Sequence, residues 1–207
     1  MRLQIANRKS QILPALLALL LLPLTGCNFI NSISFAKEGE GALNIRANTE
    51  AGNRLSGSFS KGSYAFDDRN NLTVLLIDGP ADNPTQVVTI RMMWEPRVGK
   101  TPIDPNATNA TIHYMIFTAG GKEVGVYSGA GYVYPNNDPG GDVLNGAVWQ
   151  ANLELADRSV GFVDQLGPAI VSGGFTARLD PIATQQSIRR MNQLVTDRLA
   201  YPRLVMR

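Results

Sequence analysis

Between Leu43 and Leu179 the chain alternates apolar and polar residues with period two, segment after segment, and shows no intervening helical spacing. Parallel neighbouring strands need a crossover of about a dozen residues or more, whereas antiparallel neighbours need only a turn. The alternation therefore predicts antiparallel pairing. The segments are Leu43–Ile45, Leu55–Phe66, Leu72–Ile77, Val87–Trp94, Thr111–Thr118, Lys122–Tyr134, Ala147–Leu155 and Ile170–Leu179. Leu72–Ile77 is apolar on both faces and reads as a central strand. In Ala147–Leu155, the residues Ala147, Trp149, Ala151, Leu153 and Leu155 are expected to face inward. Gln150, Asn152 and Glu154 are expected to face out. Gly120-Gly121 supplies the positive φ of a tight hairpin turn. The expected fold is mainly β: an antiparallel β-sandwich or a strongly curved sheet of about eight strands, with a C-terminal amphipathic helix.

That helix is expected over residues 181–200. Asp180 suits the N-cap, Pro181 the first turn, and Ile188, Met191, Leu194, Val195 and Leu199 step along one face. Arg189, Arg190 and Arg198 fall mainly on the other. From Pro181 onward five Arg stand against the single Asp197, while residues 28–180 carry 11 basic and 16 acidic side chains. A basic helix packed on an acidic body follows from that split, and a basic surface facing anionic lipid is the alternative.

The N-terminus has a different grammar. Arg2, Arg8 and Lys9 precede the run Leu13–Leu24, which is almost wholly apolar. About a dozen apolar residues is too short for a stable membrane-spanning helix, which takes about 20, but it matches a secretory signal. The run ends Leu24-Thr25-Gly26-Cys27, and Cys27 is the one cysteine of the chain. This ending resembles the lipobox of bacterial lipoproteins. The resemblance implies cleavage after residue 26 and acylation of Cys27, with palmitate among the expected chains. It also implies a membrane-lipid partner. Asn28 stands where that family carries Asp for inner-membrane retention, so the outer membrane is the expected address. Residues 27–41 read as lipidated Cys and tether, and 42–207 as a single β-rich domain that includes the helix.

Few residues suggest chemistry. One Cys and one His exclude a disulfide framework and a Cys/His zinc cluster. His113 lies mid-strand with apolar neighbours, and a hydrolase would need it beside a Ser and a carboxylate. Tyr127-Ser128-Gly129-Ala130-Gly131 lacks the first Gly of a nucleophile elbow and has no helix after it. Glu95, Glu123 and Glu154 could form a carboxylate pair only if the fold joins two of them. Asn136–Asp142 is the one metal candidate, through Asp138 and Asp142, but it lacks EF-hand spacing and has the composition of an ordinary turn. No cofactor is expected, and the basic residues give no nucleic-acid footprint. Ser56-Gly57-Ser58-Phe59 and Ser172-Gly173-Gly174-Phe175 echo one another, which suggests glycine set against an aromatic on a neighbouring strand.

The sequence thus points to a non-enzymatic binding or scaffolding β-domain in the cell envelope, contacting an envelope protein or polysaccharide. A carrier of a small apolar ligand in a barrel-like cavity is the alternative, with Tyr127, Tyr132, Tyr134 and Trp149 as its lining. A His113 hydrolase comes third. The first expected outcome concerns the anchor. Two or three acyl chains hold a protein on a membrane nearly irreversibly, so Cys27→Ser should abolish acyl labelling and release the protein from the membrane fraction. Labelling that survives the change refutes the assignment.

Overall fold

The computed structural model describes residues 41–47, 54–92, 108–164 and 166–202, all within one compact unit. Cys27, Asn28, the tether up to residue 40, Trp94 and Glu95 lie outside the described residues. The chain is mainly β with one C-terminal helix. Its strands are β1 (Gly41–Ala47), β2 (Arg54–Phe59), β3 (Lys61–Phe66), β4 (Leu72–Asp78), β5 (Gln86–Met92), β6 (Ala110–Thr118), β7 (Glu123–Pro135), β8 (Val143–Arg158) and β9 (Ala169–Leu179), followed by α1 (Pro181–Leu199).

From β3 to β9 each strand pairs antiparallel with the next. Every step reverses direction, so the first and last of these seven strands run the same way. They meet: Ser63 and Tyr64 pair in parallel with Arg178 and Leu179. The sheet is therefore mixed, and its pairings return to their starting strand. This corrects the antiparallel sandwich expected from the alternation. A meander of odd strand number can close only through one parallel pair, and closure joins its first and last strands, leaving β2, paired with β1 alone, at the margin of the sheet. The joining point is crowded. A Cβ on Gly62 would lie 2.2 Å from the Thr176 carbonyl oxygen, so only glycine lets β3 come against β9 here.

The hairpin β1–β2 occupies the rest of the same β9 edge. Here the sequence echo finds its explanation. Gly57 and Gly173 flank Leu43, and Phe59 and Phe175 flank Gly41, in matched register on either side of β1. Small faces large in both rows, which leaves Leu43 buried. β2 then continues through Ser60 into β3, so the single segment expected at Leu55–Phe66 serves as two strands.

One face of the sheet points into the ring. Tyr64, Val74, Ile90, Ile112, Gly129, Leu153 and Ala169 are successive cross-strand partners at one level. Leu76, Val88, Tyr114, Tyr127 and Leu155 form the next level. All but Gly129 and Leu155 are buried. The turns work as their composition suggests. The Asp67 carboxylate accepts from the backbone N–H of Arg69 and Asn71 and from Asn71 Nδ2. These bonds, led by the Asn71 side chain, hold its pKa down at about 2.

Helix α1 covers the outer face. Asp180 caps it by accepting from the Ala183 N–H at 2.9 Å, and Ala200 closes it in the left-handed conformation. Met191, Leu194, Val195 and Leu199 pack on Leu75, Ile77, Val87, Met115, Phe117, Val124 and Val126, with Ile188 at the margin. Thr184 Oγ1 meets Ser63 Oγ at 2.9 Å, tying the first turns to the seam. Arg189 and Arg190 are exposed, and Arg190 reaches Asp82 at 3.4 Å, a surface pair worth little. Arg198 departs from expectation: it donates to the Gly121 carbonyl at 2.6 Å and lies over the Phe117 ring at 5.8 Å. The helix belongs to the β body, so Leu199→Ala should cost about 2–4 kcal/mol and lower the thermal midpoint of the Cys27→Ser form. A midpoint that does not move contradicts this packing.

Candidate functional site

Three tyrosines stand inside the ring, each fully buried and each hydrogen-bonded at its hydroxyl. Tyr114 Oη donates to Gln86 Oε1 at 2.8 Å. Tyr64 Oη donates to the Pro139 carbonyl at 2.8 Å and lies against that of Gly141. Tyr127 Oη donates to Asp164 Oδ1 at 2.6 Å. The last two hold loops, one from β7 to β8 and one from β8 to β9. The second loop sends Phe162 and Leu166 into the interior, and the Phe162 ring occupies the space a Cβ on Gly125 would need. Its base is fixed by Ser159 Oγ, which donates to Glu123 Oε2 at 2.5 Å, and by the Gly161 N–H, 3.0 Å from the same oxygen.

The electrostatics follow from this burial. All three phenols have raised pKa values, chiefly by burial. The charges of Asp142 and Asp138 add to the effect at Tyr64, that of Asp78 at Tyr114, and Asp164 at Tyr127. Burial works against the Asp164 carboxylate too. Donation from Tyr127 and from the Gly167 and Leu166 amides outweighs it, and the Asp164 pKa falls.

The structure also places those residues singled out from sequence that lie among the described ones. Asp138 spends its carboxylate on its own turn, accepting from the Gly140 N–H at 3.0 Å. The Asp142 backbone carbonyl accepts from Leu179 N–H at 2.8 Å. Among the described residues no group of three or more His, Cys, Asp or Glu is gathered as metal ligands. His113 pairs across β5 with Thr89 and across β7 with Ser128, and Glu154 is the next residue in the row beyond Ser128. Strands lie about 4.8 Å apart, so Glu154 is two strands from His113 with the serine between them. A serine–histidine–acid relay needs the imidazole in the middle, and this order does not provide it. Glu123 and Glu154 are not joined either. Glu154 faces Ser128, five residues along β7 from Glu123, or roughly 17 Å by strand rise, beyond the spacing of a glycosidase pair.

The chain matches no family model, no curated protein and no solved structure.

One surface feature was hidden in the sequence. β8 carries an irregularity between Val148 and Ala151 against β9, and β7–β8 shifts register between Ala130 and Tyr132. Gln150 takes φ 48°, and its N–H donates to Ser172 Oγ at 3.1 Å. A non-glycine residue there costs on the order of 1 kcal/mol. The bulge flips the side-chain alternation. Val148 and Ala151 both point in, and Trp149, expected inside, stands 48% exposed. Tyr132 lies opposite Trp149, and its ring lies 6.2 Å from that of Tyr134. Of the four aromatics considered as a cavity lining, only Tyr127 belongs to the interior cluster.

The raised phenols make the fold sensitive to alkali. A raised folded-state pKa stabilises below the unfolded value and is lost as pH climbs. Stability should therefore fall as pH rises above about 10, with Tyr64, Tyr114 and Tyr127 ionising only as the ring opens. Tyrosinate absorbance followed alongside circular dichroism checks this. Ionisation of all tyrosines with the β signal intact contradicts it.

Proposed function

We propose that the chain is a lipid-anchored, non-enzymatic binding or scaffolding domain of the cell envelope. In this reading acylated Cys27 holds it at the outer membrane and the outer face of the sheet does the recognising. The observation that carries this reading is the filled ring. A ligand cavity needs roughly 300–1,000 Å³, and the side chains around such a void would be exposed to it. Tyr64, Tyr114, Tyr127, Val74, Ile90 and Ile112 are instead at 0–1% exposure, and Phe162 and Leu166 enter from the loop at one end. A carrier finds little support in such an interior.

The His113 hydrolase is weakened by the row order Thr89, His113, Ser128, Glu154. The anchor rests on Leu24-Thr25-Gly26-Cys27. Among the described residues no helix is long and apolar enough to cross a membrane. A filled interior has a direct check. The native protein should show no saturable binding of the apolar dye 1-anilinonaphthalene-8-sulfonate. One stoichiometric site from which a fatty acid displaces the dye would favour the carrier and refute this reading.

A further inference from the structure

We propose that the Trp149 platform on β7–β8 binds a neutral polysaccharide, seating a sugar ring on the half-exposed indole. The inference rests on the envelope-binding reading and names its partner class. Trp149 is raised from the sheet by a bulge that holds Gln150 in a conformation glycine would adopt more easily. Bulges re-aim side chains beside functional sites, and local strain that persists at an exposed aromatic is a pointer to function. Tyr132 flanks the indole, and Tyr134, itself buried, braces Tyr132.

The surroundings choose among partners. Gln150 and Asn152 are exposed, and Ser172 is half-buried beside them, so the near rim offers amide donors and acceptors and a hydroxyl, with the exposed Glu154 next along the same face of β8. A stable protein partner would bury about 800 Å² on this side around an apolar core. Half an indole supplies on the order of 100 Å², and the amides interrupt any wider apolar area. An anionic polymer would call for Arg or Lys, and none is among these six residues. A pyranose ring has the matching shape. Its axial C–H face suits the electron-rich face of an aromatic, and its equatorial hydroxyls reach outward to the amides.

The test is affinity electrophoresis of the detergent-solubilised full chain in native gels cast with laminarin, dextran, hydroxyethyl cellulose or glucomannan. Retardation is expected in at least one gel. Trp149→Ala should weaken it about tenfold or more, and Trp149→Phe should keep part of it, with thermal midpoints unchanged. Should Trp149→Ala lower the midpoint, Asn152→Ala takes its place, because that side chain is exposed. Retardation in none of the gels, or retardation undiminished in these variants, overturns the proposal. Membrane association is scored in the same cells. If it stays dependent on Cys27 while no gel retards the protein, the saccharide inference falls and the anchored-domain reading stands.

Discussion

The architecture depends on the seam where β3 meets β9. Two residues of β3 pair in parallel with two of β9, and without them the sheet would lie open between these two strands. The seam is narrow because β1 already holds most of that β9 edge. It is possible because Gly62 has no Cβ to strike the Thr176 carbonyl. Asp180, which follows β9 directly, donates its N–H to the Tyr64 carbonyl at 3.0 Å. The end of the last strand, the start of the helix and the closure of the ring are thus one construction. Thr184 on Ser63 reinforces it from outside.

Closure decides what lies inside. A ring of seven strands leaves room for side chains and little else, and the tyrosines use that room as apolar bodies with polar tips. A buried hydroxyl without a partner would cost about 1–3 kcal/mol. Tyr64 and Tyr127 avoid that cost by bonding to loops beyond the strands, and the loops gain fixed positions in return. On the outer face, among the described residues, the buried Oγ1 of Thr89 finds no hydrogen-bond partner. The interior is a structural core, and the proposed recognition is assigned to the exterior. There the helix covers one part of the sheet and Trp149 marks another.

Much of this was legible in the chain. Strand positions follow from period-two alternation because a half-buried sheet face requires it. The helix and its buried stripe follow from the Asp180 cap and the spacing of Met191, Leu194, Val195 and Leu199, because a cap and a stripe are local properties. The lipobox reading of Leu24-Thr25-Gly26-Cys27 rests on a linear signal and lies outside the described residues. The Ser-Gly-small-Phe echo was visible too, although its two copies meet only through β1.

What remained was decided by contacts between residues distant in the chain. Closure through a parallel pair depends on strand number and on which edges are free, and neither is written in one segment. The facing of Trp149 depends on a bulge set by two neighbouring strands, so local alternation put it on the wrong side. His113 needed the register of three strands to show that Ser128 and Thr89 flank it and that Glu154 stands one strand too far. Sequence alone determines which residues want to be buried, because that is chemistry carried by each side chain. Only the tertiary structure decides which of them meet, because pairing register is a property of the closed sheet as a whole.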